Sequence, residues 1–209
     1  MAYQQTTENP IRHRFEGLDR VEAANWQVRV RDAYNLPYLY QMIHDWLMEE
    51  GWAPRIDEDF TETYYMHRDN PVTGKEIWIR WRFVRPPPGA GPKETLFTYM
   101  MDLDWKIVGL KDTEIAWKGQ KVKADRGEFE FQCRAGLLID KSGEWKSWPF
   151  SGIKDLFTRR IMRQKVLMHR KNIYVDSYRL RDLIMNYLKL ETFMPMKEQG
   201  EMYLKRSLE

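Results

Sequence analysis

The chain has 209 residues, of which 43% are hydrophobic and 31% charged, and it carries a formal net charge of only +3. That balance excludes intrinsic disorder and a strongly basic protein, so an electrostatic argument has to rest on local clustering. A single cysteine, Cys133, excludes an intramolecular disulfide, and no apolar run approaches the roughly 18 residues of a membrane-crossing helix. The first residues also lack the apolar core of a signal peptide, so the expected location is cytoplasmic.

Residues 1–25 are polar and read as an arm, residues 26–193 as one α+β domain, and residues 194–209 as a polar tail. Trp26, Val28 and Val30 alternate with Gln27, Arg29 and Arg31, which predicts a strand with one apolar face. Asn35 is placed to cap a helix, and Pro37 sits in its first turn, where a missing N–H is harmless. Leu36, Leu39, Tyr40, Ile43, Trp46 and Leu47 then form one helical stripe, which Gly51 ends.

The following segment is strand-like. Phe60 to Arg68 is rich in Thr and Tyr, and Asp69 to Gly74 has turn chemistry. Glu76 to Arg85 alternates strictly, with Ile77, Ile79, Trp81 and Phe83 on one face and Trp78, Arg80 and Arg82 on the other. Pro86 to Pro92 breaks regular structure. Thr95 to Ile107 is a further strand with Asp102 and Asp104 outward. Thr113 to Lys123 reads as a hairpin turning at Lys118-Gly119. In Glu128 to Asp140, Phe129, Phe131, Cys133, Ala135, Leu137 and Ile139 face Glu128, Glu130, Gln132 and Arg134 across the strand. After Gly143 the period becomes helical. Ile153, Leu156, Phe157, Ile161 and Met168 form one expected buried stripe, and Tyr174, Leu180, Leu183, Ile184, Tyr187 and Leu188 a second, in one helix or two. The expected architecture is a curved antiparallel meander covered by an N-terminal helix and a long C-terminal helix, which is broken on the two-helix reading.

This order of elements over about residues 26–190 resembles the helix-grip fold of START-like and Bet v 1-like proteins. The resemblance implies a curved sheet around the C-terminal helix and a cavity for an apolar small molecule between them. It carries no catalytic residue, and the single helix Leu36 to Glu50 stands where the family has a pair of short ones.

No motif points to catalysis, a cofactor or a metal. His13, His44, His67 and His169 lie in different elements without a second ligand at metal spacing. The Gly89 to Pro92 loop lacks phosphate-binding spacing, and its prolines remove N–H donors. Two surfaces remain. Arg80, Arg82, Asp102, Asp104, Glu128, Glu130 and Arg134 form a polar sheet face. If the strands pair in register, this face is a cross-strand charge ladder or, with converging carboxylates, a polar site. Arg159, Arg160, Arg163, Lys165, Arg170 and Lys171 form an acid-free basic stretch on the C-terminal helix. Its self-repulsion would be relieved by phosphates. The expected function is therefore non-enzymatic docking of RNA or a ribonucleoprotein on this helix. The alternative is the helix-grip binding of a hydrophobic small molecule.

Overall fold

The structure, a computed structural model, describes residues 19–54, 56, 59–90, 96–117, 120–140 and 160–188, with only the backbone of Asp19 and of residues 115–117 and 120–122. In chain order the described elements are β1 (Asp19–Tyr34), α1 (Leu36–Glu49), β2 (Glu62–Asn70), β3 (Gly74–Arg85), β4 (Phe97–Trp117), β5 (Gln120–Ile139) and α2 (Arg163–Tyr187). The five strands form one antiparallel sheet in the order β1-β5-β4-β3-β2. β2 to β5 are a meander, and the last strand lies beside the first. The chain crosses from the β1 edge to the β2 edge through α1.

α1 forms where the sequence places it. Asn35 accepts a hydrogen bond from the Tyr38 N–H at 3.0 Å, and Gly51, at φ +69°, ends the helix in the left-handed region. Its buried stripe is Leu39, Ile43, His44 and Leu47. α2 lies over β1 and β5 and buries Ile173, Ser177, Leu180 and Ile184. The Tyr187 hydroxyl joins the helices: it accepts from the Asn35 N–H at 3.0 Å and donates to the Asn35 carbonyl at 3.1 Å.

The core lies between the sheet and these helices, on the predicted apolar parity of β1, β3, β5 and the first half of β4. Its centre is aromatic. Trp81 meets Trp105 at 5.0 Å and Tyr40 at 5.0 Å, and Trp105 meets Phe131 at 5.1 Å, all edge-to-face. Each such pair adds about 0.5–1.5 kcal/mol beyond the area it buries. The Trp81 indole N–H is satisfied by the Glu62 carboxylate at 2.9 Å.

Three features differ from the sequence reading. β1 starts at Asp19, so residues 19–25, assigned to the arm, pair with β5. The hairpin expected over Thr113–Lys123 forms, with Trp117 opposite Gln120 and its turn Lys118-Gly119 outside the described residues, but it is not separate from the strand Thr95–Ile107. β4 runs unbroken through both, and β5 returns along its whole length. The alternation slips because a β-bulge intervenes: Gly109 and Leu110 together stand opposite Gly127, and the core parity moves from Ile107 to Leu110. Residues 163–187 form one helix that buries Leu180 and Ile184 as expected, but the N-terminal part of its buried face is not the expected one. Ile161 is 65% exposed and Met168 52%, and Tyr174 is also exposed, because the turn of the helix aims Ile173 at the sheet instead. Ile153, Leu156 and Phe157 lie outside the described residues.

The bulge is held by a close approach of the β2–β3 turn. Gly74 has φ +94°, and a Cβ there would stand 2.8 Å from the Leu110 carbonyl oxygen and 2.9 Å from the Gly109 carbonyl carbon. Gly89 also has positive φ, at +77°, but faces open space. Gly89→Ala should therefore cost only the left-handed backbone term of about 1–2 kcal/mol. Gly74→Ala should cost about 1–3 kcal/mol more through overlap. Urea unfolding of both variants checks this, and equal losses would contradict it.

Candidate functional site

The polar sheet face is a registered lattice of charge. Arg82 stands opposite Asp102, which stands opposite Arg134. Arg80 stands opposite Asp104, which stands opposite Gln132. Lys106 and Arg29 flank Glu130, and Val108 and Arg31 flank Glu128. Each carboxylate thus has cationic or amide neighbours on the adjoining strands, the favourable cross-strand arrangement.

The face is not uniformly solvated. Arg82 is 2% exposed and Asp102 4%, and Met100 and Leu138, of the same parity, are buried too. The Arg82 guanidinium donates to the carbonyls of Trp81 and Leu103 at 2.8 and 2.9 Å and pairs with Asp104. Its Nε faces Asp102 at 3.6 Å, within ion-pair range though too long for a hydrogen bond. Asp104 also faces Arg80 at 3.9 Å. Glu128 accepts from Arg29 Nε at 2.7 Å, and Arg134 donates to Gln132 at 2.8 Å. Asp102 and Asp104 thus converge on one arginine, while Glu128 is engaged separately two rows away. The arrangement suits charge neutralisation rather than a paired acid and base. Arg82→Met should deprive Asp102 and Asp104 of the buried guanidinium they share and cost about 3–5 kcal/mol. Chemical denaturation measures this, and a loss under about 1 kcal/mol would mean that the carboxylates do not depend on Arg82.

A second polar cluster closes the end of the core where α1, β3, β4 and α2 meet. Arg85 pairs with Asp176 at 2.7 Å, donates to the Glu50 carbonyl, and lies over the Trp52 ring at 4.0 Å. Beside it the Tyr99 hydroxyl lies 2.8 Å from His169 Nδ1. Sequence reasoning did not single out these residues, although one signal was present. Arg85 continues the apolar parity of Ile77, Ile79, Trp81 and Phe83, and a charge on an inward parity must find a buried partner. Burial lowers the Arg85 pKa against the opposing pull of Asp176, and burial raises that of Asp176 against the pull of Arg85.

Asp176 therefore binds its proton more readily in the folded than in the unfolded chain. Its contribution to stability is full below the ordinary aspartate value of about 3.9 and is lost as pH rises through the raised folded value. Asp176→Asn should remove that decline. Unfolding free energies measured upward from about pH 4 test it, and parallel profiles for the two proteins would contradict it.

The basic stretch lies on the exposed half of α2. Arg160, Arg163, Lys165, Arg170 and Lys171 are exposed, and none of the five has an acidic partner among the described residues. Arg159 lies outside the described residues, as do Arg12, His13, Arg14 and the aromatics Trp145, Trp148 and Phe150. The first helical turn contains no acid, and Met162 provides no side-chain cap. Arg163, Leu167, Arg170, Tyr174, Tyr178 and Arg181 follow one another at helical spacing, so cations and apolar or aromatic groups alternate along one line. Tyr174 stacks on Tyr178 at 4.2 Å, and the Arg181 guanidinium lies over Tyr178 at 5.5 Å. Leu167 and Met168 beside them are half exposed. The tyrosines and Arg181 were not anticipated, because Tyr174 was expected in the core.

Among the described residues no group of His, Cys, Asp and Glu could hold a metal ion, and no helix is long and apolar enough to cross a membrane. Cys133 is buried, and burial raises its pKa, which disfavours the thiolate. No protein-family model matches the chain, and no curated protein matches it at a significant level.

Proposed function

We propose that the protein is a non-enzymatic binding protein that docks RNA, free or within a ribonucleoprotein, on the exposed face of α2. The observation that carries this reading is the stripe from Arg163 to Arg181. Its basic residues at the N-terminal end are unpaired by any described acid, and a stacked tyrosine pair follows them. Like charges a turn apart repel, and backbone phosphates relieve that repulsion with release of counterions. Tyr174 and Tyr178 offer flat faces on which unstacked bases can lie without sequence preference. The convergence of Asp102 and Asp104 on Arg82 gives this polar face no paired acid and base among the described residues to favour an enzymatic reading.

We read the architecture as a reduced helix-grip fold, a reading supported by the strand order, with β5 returning beside β1 and α2 lying across both. The same order is the support for the alternative function, an apolar small molecule held between sheet and α2. Against it, Trp81, Trp105, Phe129 and Phe131 fill the described interior with side chains that are almost wholly buried.

Arg163→Gln, Arg170→Gln and Lys171→Gln together should weaken binding to mixed-sequence single-stranded RNA and reduce the slope of log affinity against log salt by about 2. Tyr174→Ala should cost about 1–3 kcal/mol of binding with the slope preserved. Fluorescence anisotropy across a salt series reads both, and wild-type affinity and slope in the triple variant would overturn the proposal.

A further inference from the structure

The β4–β5 hairpin carries a feature that the α2 surface does not explain. Beyond the bulge, two consecutive rows place like charges directly opposite one another: Lys111 faces Arg126, and Asp112 faces Asp125. Such pairs destabilise a sheet unless something answers them. The acidic row is answered. Lys75 pairs with Asp112 at 3.0 Å, and the Leu36 N–H at the start of α1 donates to Asp125 at 3.2 Å. The cationic row is answered by nothing: neither Lys111 nor Arg126 has an acidic partner among the described residues.

The unanswered pair lines a cleft of about 580 Å³ on the outer face of the sheet, together with Arg31, Thr73, Gly109 and Glu128. Arg31 adds a third cation without a partner among the described residues, on the neighbouring strand. The one carboxylate on the rim, Glu128, is engaged by Arg29. The floor is the bulge itself. Gly109 holds φ +68°, and the two bulge residues face Gly127 alone, so glycine backbone borders the cleft beside the exposed Val108 side chain. A volume of this order suits a small molecule. The lining offers three cations, glycine backbone, the Thr73 hydroxyl, the Val108 side chain and the engaged Glu128 carboxylate, and no aromatic ring among the described residues.

We infer that this cleft is a binding site for a small molecule bearing a diphosphate or longer phosphate group, held between Arg31, Lys111 and Arg126 over the bulge. It is separate from the α2 surface. The N-terminal, basic half of α2 lies at the Phe97–Tyr99 end of the sheet, as the His169 contacts with both residues place it, whereas the bulge lies toward the hairpin end. The ligand supplies the negative charge that the cationic row lacks, as Lys75 supplies the positive charge for the acidic row.

Pyrophosphate is the probe, added to the full chain. It should raise the Tm and shift the amide resonances of Gly109 and Gly127, and Lys111→Gln or Arg126→Gln should weaken it at least about tenfold. Each variant also relieves the like-charge pair, so its ligand-free Tm should equal or exceed that of the wild type. A merely structural role for the two cations predicts the opposite. The α2 triple variant should bind pyrophosphate normally. Mixed-sequence RNA distinguishes the phosphate source: the cleft variants should leave RNA affinity unchanged. No Tm or resonance response to millimolar pyrophosphate would overturn the inference. So would cleft variants that fall in ligand-free Tm, or that lose RNA binding while pyrophosphate fails to bind the wild type.

Discussion

The pairing of β5 with β1 on one side and β4 on the other is the constraint on which the rest of this structure depends. A central antiparallel strand bonded along both edges admits no slip, because moving by one residue would exchange the buried and outer faces. With β5 in this register, Phe129, Phe131, Cys133, Ala135 and Leu137 face the helices. The same register sets Asp102 opposite Arg134, Lys106 opposite Glu130 and Lys111 opposite Arg126. The core and the charge lattice are two faces of one alignment.

That alignment makes the two sheet faces respond to charge in different ways. On the outer face, Arg82 is buried and must satisfy its donors on carbonyls and carboxylates, since an unpaired interior cation is costly. At the end of the core, Arg85 meets the same requirement through Asp176, the Glu50 carbonyl and the Trp52 ring. The terminal nitrogens of these arginines are engaged by the fold, and although the buried Nε of each has no hydrogen-bond partner among the described residues, their burial leaves little for an outside ligand. Arg163, Lys165, Arg170 and Lys171 of α2 and the cations of the hairpin cleft are exposed and have no acidic partner among the described residues. The proposed interactions with an outside anion therefore rest on them and not on the buried arginines.

The strands were legible where alternation is strict. Ile77 to Phe83 and Phe129 to Ile139 lie on the faces their parity predicts, because a half-buried antiparallel sheet imposes a period of two. α1 was legible to within a residue of its end, because its cap, its stripe and its terminating Gly51 all act locally. Legibility failed at Gly109 and Leu110, where one extra residue shifts the parity and makes a continuous strand read as a break. It failed again along α2. Ile161, Met168 and Tyr174 have the hydrophobicity of core residues, and nothing local distinguishes them from Ile173, which the helix aims at the sheet. The C-terminal cations were visible as a cluster, but the alternation of Arg170, Tyr174, Tyr178 and Arg181 along one line needs the helix to be continuous and its buried side known.

The sequence by itself determined the α+β class, the apolar faces of most strands, the first helix and the two charged surfaces, since each follows from periodicity, capping or composition within a short window. Only the tertiary structure decided that β5 returns beside β1, that Arg82 and Asp102 are buried while the cations of α2 are not, and that Lys111 stands opposite Arg126 without a described counter-ion. Those outcomes depend on which distant residues share a row of the sheet or the underside of a helix. Charge and hydrophobicity read along the chain carry no such information.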